Sequence, residues 1–161
     1  GPGVESVMKA SGLTVGGFYK HFRSKDELLV EAIAQGFSEL IERVSSLEDV
    51  PARDRWKEIV RWYLSAEHCN HPGTGCPVVT LAPDIARAKL SIRKRTADLM
   101  KELTNRWAEF MPGATPDERR RNVFVIFSAM AGAVAMARLF TEPADRQKVL
   151  DSVRESLLAA F

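Results

Sequence analysis

The residues best suited to chemistry fall in two short runs. The first is Tyr19-Lys20-His21, followed by Lys25. A tyrosine hydroxyl and a lysine ammonium donate to phosphate oxygens, which seat a protein on a duplex without reading its sequence. Lys20 and His21 can also reach base edges. The second run holds His68, Cys69, His71 and Cys76, four possible metal ligands within nine residues. Zinc sites commonly pair ligands from two separate turns or helices, so one crowded loop does not predict a metal. Cys76 directly precedes an expected helix start, where the macrodipole favours a thiolate and hence electrophile sensing. The competing reading is a small buried residue at a tight turn. Asp84, Glu67 and His68 are acid and base candidates. They come with no nucleophile motif, phosphate loop or paired-carboxylate signature, so no enzyme and no cofactor is expected.

These runs need elements to hold them. The chain has 161 residues, 45% apolar and 27% charged, ordinary values for a folded globular protein. Its net charge of +2 is too small to argue for nucleic acid by itself, so that case rests on local charge. Two cysteines make no disulfide framework, and no secretory signal is recognised. The stretch between Arg121 and Arg138 holds 16 uncharged residues, short of a membrane span and rich in Ala and Gly. It reads as a buried helix, with no membrane partner and a cytoplasmic location.

Apolar spacing is helical throughout, and no run alternates as a strand would. The expected class is all-α. A first helix covers about Val4 to Ala10, and Ser11-Gly12 makes a turn. Thr14 caps a second helix over Val15 to His21. Ser24 with Glu27 reads as a capping box opening a long helix from Lys25 to Leu47. Amphipathic helices follow around Trp56 to Leu64, from Pro77 to about Ile85, and from Ile92 to Phe110, with a polar loop at His68 to Gly75. Thr115-Pro116-Asp117-Glu118 opens a helix running to about Phe140. Beyond Asn122 that helix is apolar on every side and so must be covered all round. A last helix carries Val149, Leu150, Val153, Leu157 and Phe161. Residues 1–24 are expected to form the small unit and 25–161 the larger bundle, with 25–47 bridging them.

Two short helices joined by a tight turn are the plan of a helix-turn-helix, whose second helix lies in the major groove. Val7, Met8, Leu13, Phe18 and Phe22 can brace the pair. Gly16 and Gly17 are poor helix formers; they either weaken the helix or let its backbone approach DNA closely.

The run Gly12-Leu13-Thr14 through Phe18-Tyr19-Lys20-His21-Phe22, then Ser24-Lys25-Asp26-Glu27-Leu28-Leu29, resembles the signature of TetR (tetracycline-repressor-like) regulators. The resemblance implies phosphate contacts from Tyr19 and Lys25. It also implies a reading helix presenting Thr14, Val15, Gly16, Gly17, Lys20 and His21 to double-stranded operator DNA. Family members carry a further amphipathic helix ahead of this motif, whereas Gly1-Pro2-Gly3 precede it here, so the helix-turn-helix is expected to be incomplete, the family's first helix being absent. The C-terminal bundle is expected to sense a small-molecule effector, apolar or electrophilic, lined by Trp62, Tyr63, Cys76, Leu103, Trp107, Phe127 and Met130. The same side chains at helical spacing also read as plain core.

Ala129, Ala133 and Ala137 recur at four-residue steps near Phe124, and small residues in a row let helices approach closely. With Val153, Leu157 and Phe161 of the last helix they form the expected face of a homodimer, whose two-fold axis implies a palindromic operator. The expected activity is that of a ligand-responsive repressor. The rivals are a helical interaction module without DNA binding and, further off, a small helical enzyme.

Overall fold

The structure, a computed structural model, describes residues 3–161 and is all-helical among them. The order is α1 (Val4–Ala10), α2 (Val15–His21), α3 (Lys25–Ser45), α4 (Arg55–Tyr63), α5 (Ala66–Asn70), α6 (Pro77–Arg87), α7 (Leu90–Ala108), α8 (Pro116–Ala137) and α9 (Pro143–Ala160). Short 3₁₀ turns stand at Ala52–Asp54 and Pro72–Thr74.

Local chemistry sets most helix starts. The Thr14 hydroxyl accepts from the Gly17 N–H at 3.1 Å, and Ser24 accepts from the Glu27 N–H at 3.2 Å. Thr115 and Glu118 form a full reciprocal box, with Pro116 at the first helical position. At α3 the box differs from expectation. The Glu27 carboxylate takes the Arg23 N–H, one residue upstream of the cap itself. Gly12 has φ +67°, the left-handed turn that its position between α1 and α2 calls for.

α1 and α2 pack on each other around Met8 and Phe18, the buried side chains of that unit. Val7 and Phe22 are half-buried, and Leu13, expected in the brace, is 62% exposed. The larger bundle has one continuous core. α3 lies along α7, α7 against α8, and α8 against α9, while α4 and α5 close on α9 and α6 on α8. Ile33, Phe37, Leu40 and Val44 give α3 its buried stripe, and Ile59, Val60, Tyr63, Leu103, Trp107, Ile126, Met130 and Val134 fill the middle. At Gly36 the bundle closes tightly: a Cβ there would lie 2.4 Å from Pro77 Cγ.

Two sequence expectations change. α5 stands where a loop over His68 to Gly75 is read, because the Ser65 hydroxyl caps it by accepting the His68 N–H at 3.1 Å. Within one chain α8 is not covered all round. Val123, Ile126, Phe127 and Met130 face inward, but Phe124, Val125 and Met136 are open on the other side. By length and composition α8 could span a bilayer, yet its inner face packs on α6, α7 and α9 as a core helix does.

Candidate functional sites in the two halves

α2 is capped by Thr14 and anchored by Phe18, so the helix turns its remaining side chains outward. Thr14, Val15, Gly16, Tyr19, Lys20 and His21 are exposed, and Gly17 is half-buried. The Tyr19 ring stands edge-on to Phe18 with centroids 5.0 Å apart, and the side chain is open to solvent. Lys25 is exposed at the first position of α3. A Cβ at Gly16 would meet nothing within 4 Å, and one at Gly17 would meet only the Thr14 hydroxyl at 3.4 Å. Packing within the chain therefore does not require either glycine.

The bundle brings Tyr63, Cys76, Leu103, Trp107, Phe127 and Met130 into one core. Phe127 meets the Tyr63 ring edge-on at 6.1 Å and the Trp107 ring at 5.3 Å. Trp62 sits at the rim. Its ring lies 4.9 Å from His68 and 4.5 Å from the Arg43 guanidinium stacked over it. A cavity of about 220 Å³ opens there, lined by Trp62, Glu67, His68 and His71. Among the described residues three buried side-chain polar atoms have no well-formed hydrogen bond: the Tyr63 hydroxyl, which faces the Cys76 thiol, the Thr96 hydroxyl and Trp107 Nε1. Buried polar groups are nearly always paired, so three orphans in one bundle require an account.

His68 is held by both ring nitrogens. Nδ1 faces the Tyr63 carbonyl at 2.7 Å, and Nε2 faces the Cys76 N–H at 3.3 Å. A carbonyl only accepts and an N–H only donates, so the ring is neutral with its proton on Nδ1. Burial lowers the His68 pKa, and the Arg138 and Arg43 cations lower it further, against the Tyr63 carbonyl, which raises it. Cys76 does precede a helix, as the cap residue of α6. Cys76 is fully buried there, which fits the second of the two sequence readings. Burial pushes the Cys76 thiol up, outweighing the Tyr63 hydroxyl and the α6 backbone N–H groups that lower it. The helix-start effect favours a thiolate only where water still reaches the sulfur. Among the described residues no three His, Cys, Asp or Glu side chains converge on a metal-sized space.

The expected dimer residues separate. Phe124 is 55% exposed on α8, and Ala129 and Val153 are half-buried. Ala133, Ala137 and Leu157 lie in the intrachain core, because α8 and α9 use their small residues to pack on each other. Phe161 turns toward α4, with its ring 6.5 Å from Trp56. It helps line a cavity of about 630 Å³ with Arg53, Trp56, Lys57, Phe110 and Arg119. The apolar surface left open along α8 and its end is Phe124, Val125, Met136, Leu139 and Phe140. Beside it, Met136, Phe140, Val149 and Val153 line a groove of about 420 Å³ between α8 and α9.

Sequence reasoning missed a set of arginines that tie α9 and the end of α8 to α5 and the end of α4. Arg138 Nε donates to the Cys69 carbonyl at 2.9 Å, Arg146 Nη1 to Asn70 Oδ1 at 3.1 Å, and Arg154 Nη1 to the Leu64 carbonyl at 3.4 Å. Their partners lie 69 to 90 residues away, so no local spacing could have revealed them.

Residues 3–32 match the family model for bacterial regulatory proteins of the tetR family. A TetR transcriptional regulator from Legionella pneumophila superposes with a TM-score of 0.78 at 17% identity, over 99% of this chain and 86% of that one. A transcriptional regulator FadR from Bacillus subtilis, in complex with stearoyl-CoA, gives a TM-score of 0.72 at 17% identity, over 99% and 89%. At that identity the two structures share the fold. No curated protein sequence matches.

Proposed function

We propose that this chain is a member of the TetR family of transcriptional regulators and an effector-controlled repressor acting as a homodimer on a palindromic operator. The observation that carries the reading is α2 itself: a Thr14-capped helix anchored by Phe18 that turns Tyr19, Lys20 and His21 outward, with Lys25 at the start of the next helix. In this reading α2 enters the major groove and Tyr19 and Lys25 take phosphates. Gly16 and Gly17, which the chain's own packing leaves free to carry a side chain, allow the backbone to approach the duplex.

The exposed apolar strip of α8 supports the dimer. A helix open at Phe124, Val125 and Met136 is covered when a second copy lays the same face against it. Phe124 and Val153 keep the roles given by sequence. Met136, Leu139 and Phe140 take the place of Ala133, Ala137 and Leu157.

Effector binding is assigned to the core around Tyr63, Trp107 and Phe127, with Cys76, Leu103 and Met130 as lining and Trp62 at its edge. The Trp107 N–H can only donate, and the Tyr63 hydroxyl, on a ring that also meets Phe127, can donate as well. A ligand there is therefore apolar in body and presents acceptor oxygens. The stearoyl-CoA of the Bacillus relative is one molecule of that description and a sensible first probe. The protein works in the cytoplasm and is a regulator, not an enzyme.

The test is a gel shift with the protein and the DNA beside its own gene, repeated with stearoyl-CoA and smaller apolar carbonyl compounds. A salt-sensitive preference for one duplex, released by one compound, is the expected result. Absence of any duplex preference ends the reading.

A further inference from the structure

We propose that the sensing half also grips the duplex, through exposed cations at the start of α7: Arg93, Lys94 and Arg95. The inference rests on the DNA-binding reading above and extends its footprint beyond the helix-turn-helix. Continuity is the first support. Lys89 Nζ lies 3.0 Å from Asp26 Oδ2, which sets the start of α7 against the first turn of α3, one residue from Lys25. α3 and α7 pack along their lengths. Both therefore begin at the end of the bundle that carries α1 and α2. At 1.5 Å per residue, Arg93, Lys94 and Arg95 all lie within about 9 Å of Lys89 along the axis. Helical side chains lean toward the N-terminus, which here means toward that same end.

Charge is the second support. The whole chain is only +2, yet residues 84–95 carry Arg87, Lys89, Arg93, Lys94 and Arg95 against the single acid Asp84. Arg87 is paired with Asp84 and Lys89 with Asp26. Arg93, Lys94 and Arg95 are exposed and, among the described residues, have no ion pair or side-chain hydrogen bond. The nearest acid further along, Asp98, pairs with Lys101. Ile92, Thr96 and Leu103 mark the buried stripe of α7, so Lys94 points away from the core and the two arginines flank it. Arg93 stands in the first turn of α7, where a cation works against the helix dipole, so the fold gains nothing from it there, whereas a phosphate backbone would.

The experiment measures the salt dependence of binding to a mixed-sequence duplex several helical turns long. It compares the protein, the Arg93→Gln/Lys94→Gln variant, and a charge-matched Arg120→Gln/Arg121→Gln variant. The last pair lies near the start of α8, beyond the far end of α7. We expect the slope of log affinity against log salt to shrink by about 0.9 for each phosphate that Arg93→Gln/Lys94→Gln no longer neutralises. The control pair keeps the original slope. All three should share one circular-dichroism melting midpoint, and Lys94→Gln alone repeats the effect at smaller size. If Arg93→Gln/Lys94→Gln binds with the original slope, or if both pairs weaken the slope equally, the α7 surface is not a phosphate site while the DNA reading stands. If the unaltered protein binds no duplex at all, the DNA reading itself fails.

Discussion

The two halves of this molecule are held by different amounts of core. α1 and α2 share two buried side chains, Met8 and Phe18, and their remaining surface is polar or open. The bundle buries a continuous core from Ile33 to Leu157, sealed by arginine-to-carbonyl bonds across the chain. Stability within one chain is not uniform, and units with few buried apolar neighbours open first. The reading head is thus loosely held on a firm frame, joined through α3. In the proposed reading its grip on DNA depends on side chains the fold barely supports, while the bundle sets where α3 points.

The largest effect that separates the halves is a pair of truncations. Trp107→Ala empties the middle of the bundle and costs about 3–5 kcal/mol, read as a large fall in the global melting midpoint. Phe18→Ala removes the anchor of α2 and abolishes duplex binding, while the global midpoint moves little. Equal midpoint falls in the two variants would mean that the head and the frame unfold as one unit. Trp107→Phe sharpens the point, because it keeps most of the volume and deletes an orphan donor. It should fold with nearly unchanged stability but lose affinity for an acceptor-bearing effector in titration calorimetry.

Gly36→Ala comes next. The added methyl must displace the Pro77 ring, and overpacking of this kind costs about 1–3 kcal/mol. A midpoint equal to that of the unaltered protein would show that α3 and α6 separate without penalty. Smaller again is Thr14→Ala, which removes the α2 cap at about 1 kcal/mol. It should weaken duplex binding and leave the bundle's melting untouched.

The smallest effect is a tilt with pH. The His68 pKa is lowered in the fold, so the unfolded chain binds more protons below its own value of about 6.5. Stability is then full above that pH and declines as the pH falls through it. His68→Gln, which can still donate to the Tyr63 carbonyl and accept from the Cys76 N–H, should flatten the decline in melts at pH 5.5 and 7.5. An unchanged tilt would place its origin in another group.

Short-range chemistry made much of this protein legible from sequence. The caps at Thr14, Ser24 and Thr115 act over three residues, the turn at Gly12 needs one permissive backbone, and the helical stripes repeat every three or four positions. The helix order, the all-α class and the outward-facing residues of α2 follow from those alone. The tertiary structure decided what depends on distant chain. Burial works against the thiolate that a helix start at Cys76 would favour, which only the folded chain could decide. Intrachain packing buries Ala133, Ala137 and Leu157, which spacing alone would place on a shared face, and leaves Met136, Leu139 and Phe140 exposed. Arg138 and Arg154 find carbonyls on the far side of the bundle. A side chain's periodicity is written in its neighbours along the chain, but its solvent and its partners are set by segments that meet only after folding.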